Sequence, residues 1–296
     1  MAATTVQHPV KDTNVKTPLF YKILNVLAYI GIYALLFTLA MIIIYPVLWI
    51  VGSSFNKGTS LATSSAIPKN FTFDNYVKLF KDLNYGKWYM NTLKIAVVNS
   101  LVSVLFSGTM GFVFARLRFA GKKVGLMLIL ILQMFPTFMG MVAIYALFLY
   151  FGLLDKPMAL VLIYSVGQIP YNTWLIKGYL MNIPMSLDES AYVDGATKFQ
   201  TFRKIILPLM SPILIFVAVT QFMAPWFDFI LPNYLISSDK NRTLAVGLYR
   251  LITGNENNNF TVFAAGAVLV AVPVTILYLS LQKYLIEGIT AGANKG

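Results

Sequence analysis

The chain has 296 residues, 58% of them hydrophobic and 11% charged, with a mean hydropathy of +0.70 and a formal net charge of +12. Soluble domains carry about a quarter charged residues, so this much apolar surface points to an integral membrane protein. With no cysteine and one histidine (His8, in a polar tail), the sequence excludes disulfides, thiolate catalysis, zinc–cysteine sites, a bis-histidine haem and an H-E-x-x-H protease.

The first 22 residues are polar and hold Lys11, Lys16 and Lys22. The apolar run that follows is too long for a signal peptide, so it is expected to stay as an anchor. Crossing the hydrocarbon takes about 20 helical residues. Six runs free of Asp, Glu, Lys and Arg are long enough: Ile23–Asn56, Ile95–Ala115, Val124–Leu154, Pro157–Ile176, Ile205–Phe227 and Asn257–Gln282. They predict helices near 24–52, 93–115, 126–150, 158–179, 208–234 and 260–284. Backbone groups in lipid must pair within their own segment, so these are helices and the fold class is all-α. The expected organisation is a cytoplasmic tail 1–22, a six-helix transmembrane domain 23–286 with a cytoplasmic loop 184–208, and a cytoplasmic tail 287–296.

Basic residues give the orientation. With the N-terminus inside, the inner segments hold Lys11, Lys16, Lys22, Arg116, Arg118, Lys122, Lys123, Lys177, Lys198, Arg203, Lys204, Lys283 and Lys295. The outer ones hold Lys57, Lys69, Lys78, Lys81, Lys87, Lys156, Lys240, Arg242 and Arg250, five of them in one long loop where charge counts for less. Both termini are then cytoplasmic. Pro46, Pro136, Gly167 with Pro170, Pro225, Pro232 and Pro273 interrupt the spans, either as ordinary membrane-helix residues or as kinks that shape a cavity.

Between the fourth and fifth spans lies the polar stretch 182–204, "LDESAYVDGATKFQTFRK" at its centre. Ser186 and Glu189 fit a capping box, with Asp188 and Glu189 in the first turn where the helix dipole favours acids. Gly195 offers a left-handed stop. Thr197 is placed to cap a second helix on which Phe199, Phe202, Ile205 and Ile206 share a face, and Pro208 marks its entry into the membrane. On spacing alone this is a solvated helix pair or a docking knob for a soluble partner.

The stretch also resembles the cytoplasmic loop of binding-protein-dependent ABC importer permeases, E-A-A-x3-G-x9-I-x-L-P. Glu189-Ser190-Ala191 is followed after three residues by Gly195, and after nine more by Ile205-Ile206-Leu207-Pro208, with Ser190 the departure from alanine. The resemblance implies a coupling helix seated on an ATP-hydrolysing subunit, its contact formed around Glu189, Ser190, Ala191, Asp194, Gly195, Ala196, Ile205, Leu207 and Pro208. "ILQMFPTFMGMVAIYALFLYFGLLD", "RTLAVGLYRL" and "GITAGANKG" are similar to the six-span permease of the maltose/maltodextrin type. That branch implies oligosaccharide import by alternating access. Its implied partners are a second permease subunit, an ATPase dimer holding ATP-Mg, and an extracellular solute-binding protein. The outer loop 237–259 would meet the binding protein, and Thr290–Gly296 would lie near the ATPase. Other solutes, such as a different sugar or glycerol phosphate, and a secondary transporter are the alternatives.

No G-x4-G-K-[ST] sequence occurs, so no nucleotide site, no catalytic residue and no cofactor of its own are expected. For the solute path, Tyr145, Gln168, Asn172, Gln221 and Trp226 are the candidates, with Gln133, Tyr164 and Trp174 offering the same groups. All of these types also serve helix packing and interfacial belts. Asp228 is placed by rise per residue near the outer edge, where a solvated acid costs little. The expected location is a prokaryotic cytoplasmic membrane.

Overall fold

The structure is a computed structural model that describes residues 19–61, 64–134, 137–253 and 258–290. The tail up to residue 18, Pro136, residues 254–257 of the outer loop and the last six residues lie outside the described residues. The chain divides into two units, 1–49 and 50–296.

The first unit is the body of helix α1 (Leu19–Ser54). Its large apolar side chains from Phe20 to Leu48 are exposed on every side. A helix hydrophobic all round belongs in lipid.

The second unit is a helical bundle; among the described residues its only strand-like pairing is the isolated bridge between Asn56 and Phe71. A short helix α2 (Asp74–Lys81) leads into α3 (Tyr85–Arg116), the central rod. The helix starts eight residues before the predicted span because Lys87 and Lys94 break the uncharged run without breaking the helix. Its face toward the bundle carries Ser103, Ser107, Gly108 and Gly111, all buried. A Cβ on Gly111 would stand 2.5 Å from Ile176 Cγ2, so the glycine lets two helices approach closely.

Gly121, at φ +84°, turns the chain into α4 (Lys122–Gln133). A 3-10 turn, Thr137–Gly140, separates it from α5 (Met141–Tyr150), so the predicted span 126–150 is two short helices. Then come α6 (Leu160–Met181), α7 (Ser186–Val193) and α8 (Lys198–Leu209), whose middle, Phe202–Ile206, is a π turn. At Met210 the axis bends by 70° into α9 (Ser211–Phe227). The chain is extended at Asp228 and continues as α10 (Ile230–Leu235), α11 (Leu244–Thr253) and α12 (Phe260–Thr290).

By length and composition, Ile23–Ser54, Tyr85–Arg116 and Phe260–Tyr284 suffice to cross a membrane, and the bent pair α8–α9 makes four. The six predicted runs all coincide with helices, but six crossings do not follow from helix length and composition alone.

Packing concentrates at three levels of α3. Trp88 and Tyr85 meet Trp226, Leu244 and Val262 near its start. Ile95 meets Leu160, Phe148 and Leu231 in the middle, and Phe112 meets Ile176, Leu180, Ile206 and Ile213 near its end. Asn99, fully buried, pins three helices. Its amide donates to the Gln221 carbonyl on α9 (2.8 Å), and its oxygen accepts from Ser165 on α6 (2.9 Å).

Loops lash the Tyr85 end together. Trp88 Nε1 donates to Asp239 O (2.9 Å), and Asn91 donates to Lys240 O and Arg242 O (3.0 and 3.1 Å). Asp155, the only non-glycine described at positive φ (59°), binds the amides of Ser237 and Ser238 (3.0 and 2.9 Å), the Ser238 hydroxyl, and Asn241 (3.0 Å). Burial pushes the Asp155 carboxyl up, but these donors outweigh it and hold the group below its ordinary value.

Candidate functional site

The polar stretch folds as two short helices joined by a tight stop. Gly195 sits at φ +82° as expected. Its amide donates to Tyr192 O (3.1 Å) and that of Ala196 to Ala191 O (2.9 Å), the paired hydrogen bonds of a Schellman stop. The capping box is real but lies one helix later than predicted. The Thr197 hydroxyl accepts from the Gln200 amide (3.2 Å), and Gln200 Oε1 accepts from the Thr197 amide (2.7 Å). Ser186 is instead the first residue of α7, Met185 takes the cap position, and no side chain caps that helix.

The reason is tertiary. Asp188, buried, faces Arg116 at the end of α3, with Nε and Oδ2 3.3 Å apart and the two side chains only 4% and 6% exposed. Arg116 also donates to Ile183 O (2.9 Å) and reaches Met185 Sδ (2.7 Å). It thus clamps the whole entry into α7. Nε is not aligned on the carboxylate, so the pair is held by charge rather than by a linear hydrogen bond.

With Asp188 and Ala191 turned inward, Glu189, Ser190, Tyr192, Val193, Asp194 and Gly195 face outward. Val193 is 88% exposed. On α8, Ile205 is half-buried while Leu207 and Pro208 are exposed; the fully buried residue is Ile206, which packs with Phe112 and Met210. Phe199 was expected on that face and is 67% exposed, because the π turn adds a residue to the turn and shifts the face.

A second feature lies deeper. A cavity of about 290 Å³ opens between α5, α6, α9 and α10. Gln168 and Gln221 line it, together with Tyr164 and Asp228. The other path candidates lie elsewhere. Tyr145 packs on Tyr234 at 5.2 Å, Trp226 packs on Tyr89 at 5.1 Å, and Asn172 is buried within α6 with its Nδ2 unpartnered. Trp174 is half-buried, and Gln133 is exposed at the end of α4. Asp228 is half-buried rather than freely solvated. Its Oδ1 accepts from the amides of Ile230 and Leu231 (2.9 and 3.3 Å), capping α10, and its Oδ2 accepts from Tyr164 Oη (2.8 Å).

Sequence reasoning missed Arg116, taken only as a topology charge, and Asn99. The available signal was their setting: an arginine ending an apolar run, and an amide in mid-span, where polar residues serve as interhelical glue. Among the described residues no group of three or more His, Cys, Asp or Glu side chains could hold a metal ion.

Comparison with known proteins agrees with this architecture. The family model described as "Binding-protein-dependent transport system inner membrane component" matches residues 107–290. The chain is 43% identical over 267 residues to the galactooligosaccharides transport system permease protein GanQ of Bacillus subtilis (strain 168), covering 89% of this chain and 94% of that protein. It is 40% identical over 264 residues to the maltodextrin transport system permease protein MdxG of the same organism, covering 89% and 95%. Among solved structures it is similar to a chain of a bacterial ABC transporter involved in the import of the acidic polysaccharide alginate. That match has a TM-score of 0.75 and 25% identity, and covers 87% of this chain and 96% of that one.

Proposed function

Because the chain belongs to the family of binding-protein-dependent transport system inner membrane components, we propose that it carries a neutral oligosaccharide of the maltodextrin or galactooligosaccharide kind by alternating access. As a member of that family it is a permease subunit of an ABC importer, not an enzyme. ATP-Mg is hydrolysed on a separate ATPase dimer, a second permease subunit completes the path, and an extracellular binding protein delivers the solute.

Six crossings are counted as α1, α3, α4 with α5, α6, α9 with α10, and α12. The α7–α8 knuckle then faces the cytoplasm, together with both termini. Lys198, Arg203 and Lys204 lie in that knuckle, and Arg116, Arg118, Lys122 and Lys123 at the turn between α3 and α4, which favours this orientation. The coupling role of Glu189, Ser190, Asp194, Gly195, Ala196, Leu207 and Pro208, with buried Ala191 and half-buried Ile205 behind them, rests on one observation above all. The outward face of α7 is free, apolar Val193 included, while the inward face is clamped to α3 by a buried ion pair. A helix mounted rigidly on one side and bare on the other is built to take a push.

A glycerol phosphate or other anionic solute fits less well, since the cavity lining holds Asp228 and no cation. The chain has no cysteine, so Val193→Cys gives a single reporter thiol. In membranes containing the whole importer, it is expected to cross-link to a cysteine in the groove of the ATPase and to nothing added from outside. Labelling of that thiol by an impermeant extracellular maleimide would end the proposal.

A further inference from the structure

We infer that the cavity between α5, α6, α9 and α10 holds one unit of the passing sugar, with the Asp228 carboxylate as the fixed acceptor of its hydroxyls. This rests on the importer reading above and adds to it a sugar contact made by this subunit.

The lining has the composition that sugar recognition needs. Met141, Ile163, Ala224 and Ile230 give apolar walls for the C–H faces of a pyranose ring, and the polar groups converge from α6, α9 and the α9–α10 link. Ligand sites are typically apolar concavities with a few fixed polar groups. Asp228 is already immobilised by two backbone amides and Tyr164 Oη. Oδ2 has accepted one hydrogen bond there and has a lone pair left, since each carboxylate oxygen offers two. Tyr164 is the positioning residue: its hydroxyl is spent on orienting the acid.

Gln168 lies one helical turn beyond Tyr164, so both fall on the same face of α6. Asn99 holds Gln221 from behind, its amide 3.4 Å from Gln221 Oε1, which leaves the Gln221 amino group as a donor toward the cavity. Gly167 opens the space beside Gln168; a Cβ there would meet nothing within 4 Å. Acceptor, donor and a mixed amide thus surround the space, and a sugar hydroxyl can bridge any two of them. At about 290 Å³ the cavity is at the small end for a ligand site, the size of a single ring rather than a whole oligosaccharide. The acid, with no cation in the lining, selects against uronate and phosphate groups.

The test uses the complete importer in proteoliposomes, with saturating binding protein and tritiated maltotriose or tritiated galactotriose, whichever the wild type carries. Asp228→Asn keeps an oxygen to cap α10 but removes a charged acceptor, and Gln168→Ala removes the neighbouring amide. Asp228→Asn is expected to slow uptake per assembled complex about tenfold, the scale of one lost hydrogen bond to a charged group, and Gln168→Ala about two- to tenfold, that of a neutral one. Ala224→Cys places a lone thiol in the lining, and transported sugar is expected to slow its maleimide labelling about fivefold or more, an effect of occupancy on a group within van der Waals reach. Labelling of Leu101→Cys, on the exposed side of α3, is expected to be indifferent to sugar. Uptake by both polar variants at the wild-type rate, with Ala224→Cys labelling unaffected by sugar, would overturn the inference and leave the importer reading standing. A wild-type complex that carries neither sugar would overturn the reading itself, and the inference with it.

Discussion

Replacing Asp188 by alanine isolates the mount of the α7 knuckle. The change leaves the Arg116 side chain, 4% exposed, with one carbonyl and one thioether as the remaining neighbours of its guanidinium. Breaking a buried pair in this way costs about 3–5 kcal/mol. An eight-residue helix has no reserve against such a loss, since isolated helices shorter than about 12 residues are marginal in water. The cost therefore falls on the docking of α7 and not on the bundle. At 1.36 kcal/mol per decade, the open population rises about 10²- to 10⁴-fold. The exposed Lys198, Arg203 and Lys204 make trypsin the natural probe. When opening and closing outpace cleavage, the nicking rate follows the open population. Limited trypsinolysis of the assembled complex should show knuckle cleavage accelerated at least about a hundredfold in Asp188→Ala. The double variant Arg116→Met/Asp188→Leu, which fills the site with apolar atoms, should return close to wild type, because such replacements are often neutral or stabilising. Equal cleavage of wild type and Asp188→Ala, or a double variant as labile as the single, would refute the ion pair as the mount.

Gly195→Ala tests backbone strain without steric conflict, because a Cβ there meets nothing within 4 Å while φ is +82°. The expected cost is about 1–2 kcal/mol, read as reduced sugar uptake per ATP hydrolysed with assembly unchanged. Gly111→Val drives a methyl group into Ile176, whose Cγ2 is 2.5 Å from the Cβ position. It should destabilise the complex by about 1–3 kcal/mol or more in thermal unfolding. Asp155 has a lowered folded pKa, so its stabilisation is present above the ordinary carboxylate pKa and is lost as pH falls through the folded value. Thermal stability of the wild type should fall in that acid window, and the fall should shrink in Asp155→Asn; identical acid profiles would count against the clamp.

Local signals were legible where a backbone conformation demands a residue type. Gly195 was readable because only a left-handed residue makes that stop, and Thr197 because its cap is closed within three residues. The same logic misplaced the first cap at Ser186, because Asp188 answers to Arg116, 72 positions away, and nothing in S-x-x-E reports that. Pro136 marked an interruption of the third span, but its division into α4 and α5 was not legible, because hydropathy is blind to whether apolar residues are helical or in a 3-10 turn. Of the four residues expected to share a face, Ile206 is buried and Phe202 and Ile205 are half-buried, but Phe199 is exposed; the π turn that follows it is something a 3.6-residue period cannot foresee. Of the path candidates, Gln168, Gln221 and Tyr164 share a cavity and the others do not, since a list of amides and aromatics carries no information about which helix faces meet.

The knots at the Tyr85 end have a mechanical consequence. Asp155, Trp88 and Asn91 anchor the loops there to one another, whereas the opposite end of α3 is held by the Arg116–Asp188 pair and the apolar cluster around Phe112. In the alternating-access scheme proposed above, the tied end would serve as the fulcrum. A rod of 32 residues is about 48 Å long, so a swing of about 5° at the fulcrum carries its far tip roughly 4 Å, most of one helical turn.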